Sequence, residues 1–188
     1  GNTVAHWMAQ YCGEQLGAVL QALITADKPE LAFEILKNSD KHGSSVAHWM
    51  ARFCGEQLGA FLQRNPDQAL AILQITNANG NTVAHLMARF CGEQLSDILK
   101  RLVHEQALEI LQLNNILRSC TVAHRMAINC GEQLGAVLKE LTPDQAFEIL
   151  QLTNLWRTTV AHWMSQSCGE QLNNCLATLD PQQAFDIL

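Results

Sequence analysis

The chain has 188 residues, of which 48% are hydrophobic and 16% are charged, and its formal net charge at pH 7 is −6. Such a composition is too apolar for an intrinsically disordered chain. The negative charge argues against nucleic acid and anionic membranes as partners of the chain as a whole. No apolar run approaches the roughly 18 residues that a transmembrane helix requires, so we expect no membrane span.

One stretch of sequence occurs five times and dominates the chain. Its clearest copy is residues 82–95 (TVAHLMARFCGEQL), and in every copy a histidine is followed six positions later by a cysteine. Successive histidines are 37 to 42 residues apart. Repetition at this period is typical of stacked repeat proteins, in which a unit buries its apolar face only against its neighbours. The copies start at Thr3, Ser45, Thr82, Thr121 and Thr159, the histidines are His6, His48, His85, His124 and His162, and the cysteines are Cys12, Cys54, Cys91, Cys130 and Cys168.

The copy that starts at Thr121 predicts a first helix over residues 122–130. Thr121 is a suitable N-cap, because its hydroxyl oxygen can accept a hydrogen bond from a backbone N–H one turn further on. Gly131 is expected to end this helix as a C′ residue. Apolar residues at the spacing i, i+3, i+4, i+7 predict a buried stripe on the helix. The stripe consists of Ala123, Met126, Ala127 and Cys130.

Two further helices are predicted in the same copy. The second begins at Glu132, whose charge complements the helix dipole, and runs to about residue 141. The third begins after Thr142, with proline at the first helical position and Gln145 at the third. The middle copy lacks this proline, and the first copy has five extra residues before it, which predict an extra helical turn or a projecting loop. The connections between copies are polar, and we predict no strand beyond hairpin-like turns there.

These elements predict an all-α fold, a right-stacked helical repeat solenoid of five units of about 38 residues with two to three helices each. The whole chain is expected to be a single repeat domain. It does not begin with Met, and neither end shows an evident polar capping unit, so we expect it to be part of a longer protein. The predicted units are residues 1–43, 44–80, 81–119, 120–157 and 158–188.

The cysteines predict buried free thiols. Five of the seven recur at one position per copy, and stacked helices lie on the order of 10 Å apart, too far for the roughly 7 Å Cα separation that a disulfide tolerates. Only Cys120 and Cys175 fall outside the pattern. Unpaired cysteines at this density favour a reducing, cytoplasmic setting.

Residues 79–85 (NGNTVAH) resemble the start of an ankyrin repeat, which opens with a G-x-T-P-L-H-x-A pattern. Thr82, His85 and a later Ala match this pattern, whereas Val83 and Ala84 replace its Pro and Leu. The unit is longer than the usual ankyrin repeat, and the extra length corresponds to the third helix. Three helices in about 38 residues are also similar to armadillo repeats, which are the competing architecture.

The resemblance to ankyrin arrays implies a protein-binding scaffold without a catalytic site, cofactor or metal. In that family the inner helices and the loop tips form the binding surface. The candidates here are positions that differ between copies, namely the residue after each histidine, the residue one turn later, and the tips at residues 115–119 and 155–158. The partner-binding candidates are Trp7, Trp49, Arg52, Leu86, Arg89, Arg125, Trp156, Arg157 and Trp163.

The invariant polar residues invite a catalytic interpretation, which we weigh against a structural one. Six residues of helix rotate by about 600°, so the histidine and cysteine of one copy should not converge. The ankyrin resemblance instead implies that each histidine binds the threonine hydroxyl and backbone at the helix start. The recurring Glu-Gln pair predicts a helix-start charge and an amide ladder between copies. A nucleophilic Cys–His pair formed between different copies is the alternative.

Aromatic residues recur in pairs one turn apart, such as Trp49 and Phe53. We expect the Tyr or Phe member to pack in the core and the Trp member to be half exposed. In the fourth copy the pair becomes Arg125 and Asn129, so that part of the face is expected to meet solvent or a ligand.

The sequence therefore favours recognition of another protein. The alternatives are a structural spacer or oligomerisation array, whose ends could associate with each other, and, less favoured, an enzyme with a site outside the repeat. Near-identical units are similar to those of effectors that intracellular bacteria deliver into the host cytosol, an analogy that rests on repetition alone.

Overall fold

The computed structural model describes residues 1–116 and 119–188, and this part of the chain contains 15 α-helices and is 69% helical. In chain order they are α1 (Val4–Tyr11), α2 (Gly13–Thr25), α3 (Pro29–Lys37), α4 (Val46–Phe53), α5 (Gly55–Arg64), α6 (Pro66–Leu73), α7 (Val83–Phe90), α8 (Gly92–Leu99), α9 (His104–Gln112), α10 (Val122–Asn129), α11 (Gly131–Leu138), α12 (Pro143–Gln151), α13 (Val160–Ser167), α14 (Gly169–Leu176) and α15 (Pro181–Ile187). Each of the five sequence copies begins one helix, and two more follow it. We call α1, α4, α7, α10 and α13 the first helices, the next in each group the second helices, and the last the third helices.

Like helices pack against like helices from one copy to the next. Each first helix contacts the first helix of the following copy, and the second and third helices do the same. Within each copy the first and second helices also contact each other. The predicted stripe lies in these contacts, since Ala123, Met126 and Ala127 are fully buried. The all-helical prediction is confirmed, and the buried side chains form one continuous hydrophobic cluster from Ala9 to Leu179.

A local hydrogen-bond pattern explains why every first helix begins where it does. In the copy at Thr82, the hydroxyl oxygen accepts a hydrogen bond from the backbone N–H of His85. In return, Nδ1 of His85 accepts hydrogen bonds from the backbone N–H and hydroxyl of Thr82, at 3.3 and 2.8 Å. The histidine thus takes the role that Glu or Gln has in an ordinary capping box. Because Nδ1 accepts from a backbone N–H, the ring proton must be on Nε2.

The same Nε2–H joins each copy to the next. That of His85 donates to the carbonyl of Cys120 at 2.9 Å, and that of His48 donates to the carbonyl of Asn81 at 3.1 Å. His6 and His124 make the corresponding bonds to Ser44 and Thr158. One ring therefore caps its own helix and holds the loop of the following copy.

Glycine has a different role from the one predicted. Gly131 does not end a first helix in a left-handed conformation; Cys130 is the C-cap, and Gly131 is the first residue of α11. The reason for glycine is a close approach, because Cys168 of the next copy lies where a Cβ on Gly131 would be. The same pairing recurs through the chain. Its other members are Gly13 with Cys54, Gly55 with Cys91, and Gly92 with Cys130.

A second close approach involves the recurring Gln residues. The Cβ and Cγ of Gln94 lie against Gly59, and those of Gln171 lie against Gly135. Ser96 occupies the glycine position of the third copy, and its hydroxyl donates to the carbonyl of Gln133 at 3.4 Å. The predicted amide ladder is wrong, because stacking of aliphatic carbons, and not amide hydrogen bonding, joins these residues in the described part of the chain. The paired glutamates do lie in the first turns of the second helices, as predicted.

The connections between copies are narrow hairpins. Strand β1 (Asn114–Asn115) pairs antiparallel with β2 (Cys120–Thr121), and single bridges occupy the same place in the other three connections. At each described turn an Asp or Asn accepts backbone N–H groups two and four residues later, as Asn77 does from Asn79 and Asn81. The hairpin-like turns are therefore confirmed, and the tips of neighbouring turns also touch, since the N–H of Ala78 donates to the carbonyl of His42.

Local departures in the sequence have local consequences. The five extra residues of the first copy extend α2 to 13 residues, so the extra helical turn is correct and the projecting loop is wrong. Thr142 forms the predicted capping box with Gln145. In the middle copy α9 begins after Val103 without any side-chain cap, and it is held by the burial of Ile110 and its neighbours.

The five repeat cysteines are free thiols, as predicted, but they are not equally buried. Cys54 and Cys168 are buried, Cys91 and Cys130 are half-buried, and Cys12 is exposed because no earlier copy covers it. Burial raises the pKa of Cys54 to about 11 and that of Cys91 to about 12. These thiols are therefore protonated near neutral pH, and the Cys91 thiol donates to the carbonyl of Ala51 in the preceding copy.

The glycine–cysteine contact can be tested with a matched pair of substitutions. A Cβ on Gly92 would lie 2.5 Å from Cβ of Cys130, whereas one on Gly169 would meet no atom within 4 Å. We expect Gly92→Ala to lower the free energy of unfolding by about 1–3 kcal/mol through overpacking. Gly169→Ala should leave it unchanged or raise it by about 0.5 kcal/mol. Urea unfolding of both variants measures the difference, and equal effects would contradict the close approach.

Acid should weaken the histidine contacts. Burial, and secondarily the charge of Arg125, lowers the pKa of His85 to about 4. The unfolded chain takes up this proton below about pH 6.5, so stability is full above that pH and falls as the pH drops towards 4. We expect His85→Gln to be less stable than the native chain at pH 7.5 but to lose less stability between pH 6.5 and 4. The control is the same substitution at the exposed His162, whose described side-chain hydrogen bonds are all to Thr159 of its own helix start. In urea titrations at pH 7.5 this control should lower the free energy of unfolding less than His85→Gln does.

Candidate functional site

Four of the predicted binding residues converge on one groove. Trp49 and Arg52 of α4 and Leu86 and Arg89 of α7 line a groove of about 500 Å³, whose wall is the turn at residues 77–81. An adjoining hollow of about 250 Å³ shares Leu86 and Arg89 and adds Arg125 of α10. Five of the predicted binding residues therefore lie on adjoining surfaces of three first helices. We call the larger of the two hollows, lined by α4, α7 and the turn at residues 77–81, the α4–α7 groove.

Trp7 extends the groove by one copy. Its ring is 49% exposed, meets the ring of Trp49 edge-on at 6.3 Å and stacks on Tyr11 at 5.9 Å. Aromatic side chains of α1 and α4 thus form a continuous cluster at one end of the groove.

The remaining candidates lie elsewhere. Trp156 and Arg157 are exposed at the turn between α12 and α13, and Trp163 is half-buried on α13. None of the three lines the α4–α7 groove or its adjoining hollow. The predicted tip at residues 115–119 includes positions 117 and 118, which fall outside the described residues.

The prediction that the second member of each aromatic pair packs in the core is wrong. Phe53 and Phe90 are 43% and 45% exposed, and Tyr11 is exposed as well, so none of them is a core residue. Trp49 is only half exposed, as predicted, because its indole edge is held against the preceding turn and its ring packs on His6 at 5.6 Å. Phe53 and Phe90 are binding candidates that the sequence analysis missed.

The two arginines of the groove are held by aromatic rings. The guanidinium of Arg52 lies 5.1 Å from the ring centre of Phe53 and 5.8 Å from that of Phe90. Arg89 lies 5.0 Å from the ring centre of Phe90. Cation–π contact of this kind stabilises a guanidinium by about 0.5–1 kcal/mol at an exposed site. It fixes the two positive charges along the groove wall.

Asp40 is the single carboxylate among the described residues that line the groove, and its hydrogen bonds are internal. Oδ1 accepts from the N–H groups of His42 and Ser44, and Oδ2 accepts from the Trp49 indole N–H at 3.0 Å. Partial burial pushes the pKa of Asp40 upward, but these hydrogen bonds and the nearby His6 ring outweigh it and leave the pKa below its usual value. The carboxylate is thus occupied in positioning Trp49.

Charge is segregated between two parts of the sequence, which the net charge conceals. The first helices and the connections that precede them contain six of the 12 basic residues and one of the 18 acidic residues, a net charge of +5. The second and third helices contain the other six basic and 17 acidic residues, a net charge of −11. The negative net charge of the whole chain therefore does not describe the charge of the groove, and it does not exclude anionic partners there. The basic residues of the first set are Lys41, Arg52, Arg89, Arg118, Arg125 and Arg157.

The buried repeat histidines have structural hydrogen-bond partners, and the buried and half-buried repeat cysteines are protonated thiols. The ring nitrogens of His48, His85 and His124 all have hydrogen-bond partners in the backbone and the capping hydroxyl. Burial raises the thiol pKa of Cys91 and Cys130 to about 12, opposite to the direction that a nucleophilic thiolate requires. Among the described residues no group of three or more His, Cys, Asp or Glu is placed to hold a metal ion.

One junction contains two buried donors without acceptors. Asn154 occupies the turn position that Asp40 occupies three copies earlier, and its Oδ1 accepts from the N–H groups of Trp156 and Thr158. Nδ2 of Asn154 and Nε1 of Trp163 are both buried and have no hydrogen-bond partner. In the first junction the Asp40 carboxylate accepts a hydrogen bond from the indole N–H of Trp49. At the equivalent position Asn154 has an amide N–H₂ in place of that carboxylate oxygen, so the indole N–H of Trp163 has no acceptor.

Comparison with known proteins gives no relative: no protein-family model matches the chain, and no curated protein matches it. In the described part of the chain, none of the helices combines the length and apolar character needed to cross a membrane.

The unpaired indole predicts a stabilising substitution. Asn154→Asp should give the Trp163 N–H an acceptor and raise the free energy of unfolding at pH 7 by about 1 kcal/mol, the usual net value of one hydrogen bond. The control is Asn77→Asp, because the residue that follows the histidine there is Leu86, which has no N–H to donate. Thermal and urea unfolding compare the two variants. Equal changes in stability would show that the indole does not face position 154.

Proposed function

We propose that the five copies form an ankyrin-like solenoid and that its first helices and turn tips bind another protein. The observation that carries the proposal is the division of roles within each copy. The residues that join copies are nearly invariant. The groove positions hold Trp or Leu, Arg and Phe in α4 and α7, but Arg125, Ile128 and Asn129 in α10. A scaffold with a tailored surface requires this division.

The recurring contacts between copies support the solenoid. The same histidine-to-carbonyl bond and the same glycine–cysteine contact occur in four successive junctions. Repetition of one junction places successive copies in one constant relation, which is how solenoids are built. The three-helix unit and the capping histidine are consistent with a lengthened ankyrin-type repeat, while the third helix keeps the armadillo-like arrangement as the alternative.

The composition of the groove supports binding of a protein. Trp, Tyr and Arg dominate the energetics of protein interfaces, and Leu and Phe supply apolar area around them. Exposed aromatic groups on rigid helices lose little conformational freedom on binding. The groove offers three such rings, Trp49, Phe53 and Phe90, beside two arginines.

The turn between α12 and α13 supports a second contact region. Arg157 has a positive φ of 58°, where the corresponding positions in two other turns are Gly43 and Gly80. A side chain in this conformation costs roughly 1 kcal/mol relative to glycine. Retention of an exposed arginine at this cost, beside Trp156 that is 67% exposed, favours a role for both side chains in recognition.

The alternative of an end-to-end array is less well supported. The outward face of the fifth copy carries Ser165 where the other copies have buried alanine, and Asn173 where they have glycine or serine. Asn173 would occupy the place of the incoming Gln if a like unit stacked there. The contacts of the histidines and cysteines give no support to an enzymatic function.

The many free thiols favour a location in the reducing cytosol, which would be that of a host cell if the effector analogy applies.

Removal of exposed rings should separate binding from folding. We expect Phe53→Ala with Phe90→Ala to weaken binding of a partner protein by about tenfold or more, because interface aromatic groups contribute over 1 kcal/mol each. The matched control, Val103→Ala with Phe185→Ala, removes exposed apolar groups outside the groove. Partners captured from cytosolic extract by the native chain are identified by mass spectrometry, and their affinities for the three proteins are measured by calorimetry.

Thermal unfolding provides the second reading of the same experiment. The melting temperatures of both double variants should remain within a few degrees of that of the native chain, because the removed side chains are exposed. Equal affinity of the native chain and the groove variant for every captured partner would contradict the proposed function.

A further inference from the structure

We propose that the α4–α7 groove binds an acidic peptide segment that also carries an aromatic or large apolar side chain. This inference rests on the proposed function and names the chemistry of the partner. It follows from the charge of the groove, the spacing of its arginines, and the side chains that form its floor and wall.

The groove and its adjoining hollow have a net positive charge, because three arginines and one carboxylate among the described residues line them. Arg52, Arg89 and Arg125 line the groove and its adjoining hollow. The one carboxylate among the described lining residues, Asp40, already accepts three hydrogen bonds from its own turn and from Trp49. An arginine that has no carboxylate partner of its own and lies beside apolar side chains is well suited to bind an acidic residue of a partner.

The spacing of the arginines matches an extended peptide. Arg52 and Arg89 occupy equivalent positions on α4 and α7, and adjacent packed helices are on the order of 10 Å apart. An extended chain advances about 3.3 Å per residue. Alternate side chains of such a chain face the same side, so carboxylates at positions i and i+4, about 13 Å apart, can reach the two guanidinium groups while the side chain at i+2 faces the groove between them.

The aromatic rings define where the apolar group of the partner lies. Both guanidinium groups approach Phe90, with Arg52 at 5.8 Å and Arg89 at 5.0 Å from its ring centre. Leu86 and Trp49 complete an apolar floor within the same groove. An aromatic side chain between two acidic residues can pack on this floor while the flanking carboxylates reach the guanidinium groups, whose N–H donors remain available in the plane of each stacked group.

The wall of the groove is suited to a peptide backbone. Asn77, Asn79 and Asn81 line the groove from the turn between α6 and α7. Amide side chains can both donate to and accept from an extended main chain. The turn itself is rigid, because Oδ1 of Asn77 accepts two of its N–H groups and Asn115 donates to Oδ1 of Asn81 at 2.7 Å.

A peptide accounts for the groove better than single-stranded nucleic acid does. Stacking rings and arginines also occur at nucleic-acid sites. A nucleic-acid strand, however, carries a charge at every nucleotide and needs a continuous basic track. Here only the first helices and turns have a net positive charge, and the second and third helices have a net charge of −11. A short acidic segment gains the local attraction and avoids the wider repulsion.

The test uses the full chain and a defined probe. The probe is a fluorescein-labelled peptide of about 12 residues, composed of Asp and Glu and interrupted by two Phe, followed by fluorescence anisotropy. We expect saturable binding that weakens as salt rises. The peptide in which Asn and Gln replace Asp and Glu should bind at least about tenfold more weakly. A 12-nucleotide single-stranded RNA should also bind more weakly than the acidic peptide.

A matched pair of variants locates the site. Arg52→Gln with Arg89→Gln should weaken binding of the acidic peptide by about tenfold or more. Arg64→Gln with Arg101→Gln removes the same charge from exposed positions outside the groove and should change the affinity less than about twofold. Phe90→Leu should weaken binding while leaving the net charge unchanged, which a purely electrostatic association would not show.

Three results would overturn the inference: no binding of the acidic peptide to the native chain, an equal loss in both arginine variants, or tighter binding of the RNA than of the peptide. The proposed function fails separately. If captured partners depend on Phe53 and Phe90 but the acidic peptide does not bind, the surface is an interaction site for a partner of other chemistry. If no captured partner depends on them, the proposed function itself is wrong.

Discussion

The structure depends on one histidine per copy, which makes hydrogen bonds in two directions. Nδ1 accepts from the backbone and hydroxyl at the start of its own helix, and Nε2–H donates to a carbonyl in the turn of the next copy. The first bond fixes the tautomer that the second requires. Because the ring is buried, neither nitrogen can exchange its partner for water, and local helix capping and the relation between copies are established by the same side chain.

The close packing of the second helices follows from this relation. Once the turn of one copy is held by the histidine of the preceding copy, Cys130 comes to lie against Gly92, and Gln94 against Gly59. A larger side chain at either glycine would separate the helices and lengthen the histidine bonds. The recurring residues are therefore mutually dependent, and this dependence leaves variation to positions that face away from the junction.

Copies differ at some of the positions where the first helices face solvent. Arg52, Arg89 and Arg125 give this side a positive charge within an acidic protein, and exposed rings lie among them. A surface of this kind can attract an acidic segment over a distance of about a Debye length and then bind it by apolar contact. The rigidity needed for such a preformed surface comes from the invariant junctions and not from the groove itself.

The sequence and the tertiary structure determined different features of this protein. The sequence by itself determined the helix starts, the buried alanine and methionine stripe and the hairpin turns, because capping, periodicity and turn chemistry act within about seven residues. It also indicated which positions vary. It did not reveal that glycine begins the second helix, that Phe53 and Phe90 are exposed while Trp49 is held by Asp40, or that arginines of three first helices line adjoining hollows. The Asp40–Trp49 bond depends on how the turn folds back on α4. The other features depend on the packing of one copy on the next, between residues about 37 positions apart, which the pattern within one copy does not contain.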